Sequence, residues 1–126
     1  SNIARVYQIS LAIQKAEELI AKYACPAFIM GDFNAGIDSA CMNEVAKLGW
    51  TEAHDLCTGE RDETKGHHFC APDGFERGES GVYHDALDHI IVKNGSAVAI
   101  QSYKRLNDAW FDCVSDHYPL YVDIKI

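Results

Sequence analysis

At 126 residues, 48% hydrophobic and 24% charged, the chain is long enough for one small globular domain and too short for two. It holds no low-complexity tract or repeat that would point to disorder or a solenoid. No uninterrupted apolar run exceeds that of Ala27 to Met30, which excludes a bilayer-spanning helix of about 20 residues, and a net charge of −8 argues against the basic surface of a sequence-independent nucleic-acid binder.

Along the chain, Ile3, Val6, Ile9, Ile13, Ala16, Leu19, Ile20 and Tyr23 recur at helical spacing with Gln14, Lys15, Glu18 and Lys22 on the other side. The spacing predicts an amphipathic helix capped by Asn2 and stopped by Cys25-Pro26. Ala27 to Met30 then reads as a short strand buried on both faces. Asp38 or Ser39 caps a second helix running through Leu48, with Met42, Val45 and Ala46 facing inward and Gly49 at its C-terminal cap. His67 to Cys70 reads as a short strand and Ala71 to Gly81 as an exposed loop. Three strands follow, Leu87 to Val92, Ala97 to Tyr103 after an Asn94-Gly95 turn suited to a hairpin, and Tyr118 to Ile126 with alternating faces. Five cysteines, Cys25, Cys41, Cys57, Cys70 and Cys113, show neither C-x-x-C nor zinc-site spacing and read as buried free thiols. These elements predict an α/β (α+β) chain with a mixed or mostly antiparallel sheet and two helices against it.

Three polar clusters interrupt this apolar pattern. Gly31-Asp32-Phe33-Asn34 places an acid and an amide two residues apart at the carboxyl end of a buried strand, where α/β proteins put ligands. Asp32 and Asn34 can then address one object; an Asx-turn joining strand to helix accounts for the same pair. Ser115-Asp116-His117 directly precedes the final strand. Asp88-His89 interrupts an apolar strand, and a carboxylate buried there requires a partner. A histidine whose ring it orients suits that need, and backbone amides are the other solution. His54, His67, His68, His84 and His89 read as surface or substrate-edge residues, and His84-Asp85 as solvated loop.

GDFN at 31–34, LDHIIV at 87–92 and SDHYPL at 115–120, with Trp50-Thr51-Glu52-Ala53 after the second helix, resemble the C-terminal motifs of the endonuclease/exonuclease/phosphatase family. The resemblance spans nearly all of residues 1–126 and implies a single domain that is the C-terminal half of the family's domain. The expected architecture is one sheet layer with two helices on one face, half of a four-layer αββα sandwich. The activity implied is divalent-metal-dependent hydrolysis of a phosphoester, by a phosphodiesterase, nuclease or phosphatase; a non-catalytic binding module that retains the fold is the alternative. Carried over position by position, Asp32 orients or deprotonates the attacking water, Asn34 binds a phosphate oxygen, His117 contacts the scissile phosphate, Asp88 holds His117, and Asp116 helps ligate Mg²⁺ or Mn²⁺. The family's N-terminal half also brings an Asn and a Glu for the metal, which have no counterpart here. A fragment lacking them is expected to have little activity alone. It is also expected to cover its exposed sheet face with a second copy, as a homodimer, or with the missing N-terminal half.

Overall fold

In a computed structural model the chain is described over residues 1–62, 86–106 and 117–126. The elements run α1 Asn2–Tyr23, β1 Phe28–Asp32, α2 Ala40–Lys47, β2 Trp50–Glu52, α3 Ala53–Leu56, β3 Cys57–Arg61, β4 Asp88–Lys93, β5 Ala99–Arg105 and β6 Leu120–Lys125. The expected mixed α/β class is present. The strands fall into two three-stranded sheets, ordered β1-β4-β2 and β3-β5-β6, and a third, short helix joins the two expected. The strand read at His67–Cys70 and the loop at 71–81 lie outside the described residues. No helix among the described residues is long and apolar enough to cross a membrane.

Local chemistry sets the element boundaries. Ser1, one residue before the Asn2 expected from sequence, caps α1 by accepting from the Ala4 N–H at 3.4 Å. Ala24 in the left-handed region (φ 51°) ends the helix, its N–H donating to the Ile20 carbonyl at 2.8 Å. Ser39, one of the two residues predicted, caps α2 through its hydroxyl. Helix α2 buries Cys41, Met42 and Val45, while Ala46, expected inside, is exposed. Turning the stripe by one position lets the small thiol pack beneath α1, where its Sγ meets the Arg5 carbonyl at 3.9 Å.

Two further expectations are corrected. Strand β1 is not buried on both faces: Met30 is 63% exposed, because only the side bearing Ile29 lies under helices. The Asn94-Gly95 turn does not join a hairpin, since β4 pairs with β1 and β2 whereas β5 pairs with β3 and β6. Gly95, at φ 75°, instead turns the chain from one sheet into the other. Gly59 meets a different demand. A Cβ there would sit 2.1 Å from the Gln101 carbonyl oxygen, so the β3–β5 contact requires a residue without one.

The core has two parts. One gathers Ile9, Ile13 and Ala16 of α1, Met42 and Val45 of α2, Trp50 and Ile91. The other joins Ala53, Ile90, Ile100 and Tyr103. Strand β4 faces both, because successive residues of a strand point to opposite sides. Among the described cysteines Cys41 is buried, Cys57 half-buried and Cys25 exposed, all as free thiols; Cys25 departs from the expected burial because it lies just past the end of α1.

Helix α1 is fastened to the sheet by Glu17, which accepts from Trp50 Nε1 at 3.3 Å and from Lys93 Nζ at 3.1 Å. The Lys93 hydrogen bond, helped by Trp50, holds the Glu17 carboxyl below its ordinary 4.5. A lowered acid pKa contributes stability that is present above the unfolded value and is lost as pH falls through the folded one. Thermal melts of Glu17→Gln and wild type are therefore expected to differ at neutral pH and to converge as the pH is taken below that range.

Candidate active site

The register of β1 and β4 creates the site. The two strands run antiparallel with Met30 opposite Ile90, Gly31 opposite His89 and Asp32 opposite Asp88. Directly opposed side chains share a face, so the carboxylates of Asp32 and Asp88 point the same way from neighbouring strands. Like charges in that position are destabilising unless something positive lies between or beside them. Burial pushes the Asp88 carboxyl above its ordinary value, and the Asp32 charge adds to that rise against the lowering influence of His117.

His117 arrives from the other sheet. The β5–β6 pairing places Arg105 opposite Leu120, and the Leu106 N–H donates to the Pro119 carbonyl at 2.9 Å. The Arg105 guanidinium lies 5.8 Å from the centre of the Tyr118 ring, within the range of a cation–π contact. These contacts anchor the segment that begins at His117, whose Nδ1 lies 2.5 Å from Asp88 Oδ2. Ligand atoms of Asp32, Asp88 and His117 all lie within 4.8 Å of one another. Asp32 is exposed and the other two are half-buried, so the cluster opens to solvent. A cleft of about 230 Å³ lined by Met30, Gly31, Asp88, Tyr118 and Pro119 adjoins it.

Asn34 belongs to the loop leaving β1. Its N–H donates to Asp32 Oδ1 at 2.7 Å, an Asx-turn, and its backbone lies in the left-handed region at φ 48°, which Asn tolerates better than most residues. The two readings of this pair are thus compatible: the turn is formed, and Asp32 still reaches Asp88 and His117. The Asn34 side chain is exposed. Asp116, with Ser115 and His84-Asp85, lies outside the described residues.

One pair escaped the sequence reading. His89, taken as a surface or substrate-edge residue, is 1% exposed, and His54 is 5% exposed. His89 points away from Asp88, to the helix-covered side of the sheet with Ile91. Its Nδ1 meets Glu52 Oε1, and its Nε2 lies 2.7 Å from the Ala35 carbonyl oxygen. A carboxylate and a carbonyl are both acceptors, an arrangement that favours a ring donating from both nitrogens. Burial, the largest single influence, favours its neutral form. The Glu52 hydrogen bond and charge, the Ala35 carbonyl and Asp88 together outweigh burial and raise the pKa above 6.5. His54 Nε2 lies 2.6 Å from the Asp62 carbonyl, and its ring stands edge-on to Tyr103 at 5.1 Å. A signal for His89 was present: it stands directly before the apolar run Ile90 to Val92, and a polar group carried into a core by such a strand needs a partner.

No family model matches the chain, and no curated protein does. Among solved structures it is similar to a mannosyl-6-phosphatase of Bacteroides thetaiotaomicron VPI-5482, with a TM-score of 0.73 and 23% identity over 100% of this chain and 47% of that one. It is likewise similar to an endonuclease/exonuclease/phosphatase protein of Bacteroides vulgatus, with a TM-score of 0.78 and 20% identity over 100% of this chain and 45% of that one. A conserved protein of unknown function from Enterococcus faecalis V583 gives a TM-score of 0.71 and 25% identity over 99% of this chain and 45% of that one. The chain thus spans a little under half the length of each of these proteins. Taken with the site's place on the sheet, these likenesses show that the chain has the fold of about half of an endonuclease/exonuclease/phosphatase protein.

Proposed function

We propose that this chain supplies Asp32, Asn34, Asp88 and His117 to the active site of a divalent-metal-dependent phosphoester hydrolase. The observation that carries the reading is the convergence of two opposed carboxylates and a hydrogen-bonded imidazole within 4.8 Å. That donor set suits Mg²⁺ or Mn²⁺, because hard carboxylate oxygens are the ligands these ions select and a cation relieves the repulsion between Asp32 and Asp88. Asp32 and Asp88 would hold the ion, with Asp116 as a further expected ligand. When bound, the metal supplies positive charge to the phosphoryl oxygens.

The chain's own groups perform the remaining tasks. Asp88 accepts from His117 Nδ1, fixing the ring's tautomer and orientation and assigning the phosphate contact to Nε2. Asp32, the more exposed of the two described carboxylates, orients or deprotonates the attacking water. Asn34, on a loop tied back to Asp32, donates to a phosphate oxygen as charge builds there. The charge of −8 favours a small phosphorylated substrate over a long nucleic acid, and the likeness to a mannosyl-6-phosphatase supports the same class.

Because the chain spans under half of its structural neighbours, activity is assigned to the full-length protein, and a completing half or a second copy covers the sheet face around Met30. The test is an assay of the full-length protein with Mg²⁺ and with chelator against sugar phosphates, inositol phosphates, sphingomyelin, RNA and abasic DNA. Chelator-sensitive turnover of at least one ester is expected; turnover of none, or turnover indifferent to chelator, refutes the reading. Residues 1–126 alone are expected to show little activity.

A further inference from the structure

The Glu52–His89 pair is a costly device in an unexpected place. Glu52 is 6% exposed and His89 1%, and only one of the Glu52 oxygens is satisfied: Oε2 is buried without a hydrogen-bond partner among the described residues. Replacing a buried ion pair with apolar residues of similar volume is often neutral or stabilising. Stability is therefore a poor explanation for this one.

Its geometry offers another. The ring bridges β2 and the loop that follows β1, with Glu52 on one nitrogen and the Ala35 carbonyl on the other. Ala35 follows Asn34, whose backbone lies in the left-handed region, a conformation that Asn adopts more readily than most residues. Three other contacts converge on the same turn. The Asn34 N–H is tied to Asp32, the Phe33 N–H donates to the Leu87 carbonyl at 2.8 Å, and the Phe33 ring packs on the His89 ring at 5.1 Å. The Ala35 carbonyl would otherwise be a buried acceptor needing a donor.

We infer that His89, oriented by Glu52, is a positioning residue that clamps the 33–36 turn and so sets where Asn34 and Asp32 stand in the site. It touches neither substrate nor metal; it acts through the backbone of Ala35. The inference rests on the proposed hydrolase function for its kinetic consequence, while the clamp itself is a structural statement that can be read without turnover.

The experiment uses the full-length protein with His89→Phe and with the volume-conserving pair Glu52→Met/His89→Phe. Three readouts are taken: the melting temperature, kcat and KM on whichever phosphoester the wild type hydrolyses, and the backbone amide NMR signals of Asn34, Ala35 and Gly36. The single variant strands a buried carboxylate and is expected to melt lower. The double variant removes both charges and is expected to melt at or above the wild-type temperature. It is nonetheless expected to lose about 10- to 100-fold in kcat, the usual cost of disturbing a group that orients another, with KM nearly unchanged and the three amide signals displaced. A double variant with wild-type kcat and unmoved amide signals overturns the clamp while leaving the hydrolase reading intact. If the wild type hydrolyses no ester, the hydrolase reading fails, and the clamp is decided on the amide signals alone: displaced signals in a stable double variant uphold it, and unmoved ones overturn it.

Discussion

His117→Ala in the full-length protein is expected to lower kcat on its phosphoester by about 10²- to 10⁴-fold, the range for removing a side chain that works at the reacting group. The Asp88–His117 contact of 2.5 Å makes a second expectation specific. Asp88→Asn can still accept at one atom but loses the negative charge that orients the ring. Its loss is expected to approach that of His117→Ala, and the combined variant is expected to be scarcely worse than either alone, because residues acting as a unit are not additive. Steady-state kinetics of the three variants provide the check. Independent, multiplying losses would mean that the two side chains do not operate as the pair their contact describes. Melting curves alongside guard against misreading a folding defect, since His117 and Asp88 are only half-buried.

Trp50→Ala is expected to have the largest effect on stability, about 3–5 kcal/mol. Trp50 is 1% exposed and sits where α1, α2 and β4 meet, so truncation leaves a void bounded by three elements that cannot all close on it. The change also removes the indole N–H that Glu17 accepts. A small domain has only about 5–15 kcal/mol to lose, which makes a large drop in denaturation midpoint the expected reading. Trp50→Phe keeps most of the volume and is expected to lose far less. If the alanine variant unfolds at the wild-type denaturant concentration, the first core does not depend on this residue in the way its burial implies.

Much of this was legible in the residues. The period of α1 and the acid-bearing loop after a strand are local signals, and α1, β1, α2, β4, β5 and β6 stand close to where their patterns placed them, whereas the short β2, α3 and β3 carry no pattern long enough to read. Ser39 at the α2 cap was readable for the same reason, since capping depends on the immediate backbone. Pairing was less readable. Asn94-Gly95 carries hairpin chemistry, yet the strands on either side have other partners, because Ile91 fills a core beneath α1 and α2 while Ile100 fills another beside Tyr103. Burial of polar groups was hardest. His89 and Glu52 are 37 residues apart, and only the β2–β4 register, with Glu52 opposite Ile91, brings them to the same side of the sheet. Asp88 and its neighbour looked like one motif; they serve opposite faces.

That division of labour between two consecutive residues makes β4 a poor place for insertions and deletions. Adding one residue between His89 and Ile90 while the apolar stretch kept its pairing would drive a carboxylate in among the helices and hang an imidazole over the cleft. Both the face proposed to hold the ion and the face inferred to brace the loop would then fail together. Length variation among natural versions of this segment should consequently fall outside the 88–93 stretch, in the connections at its two ends.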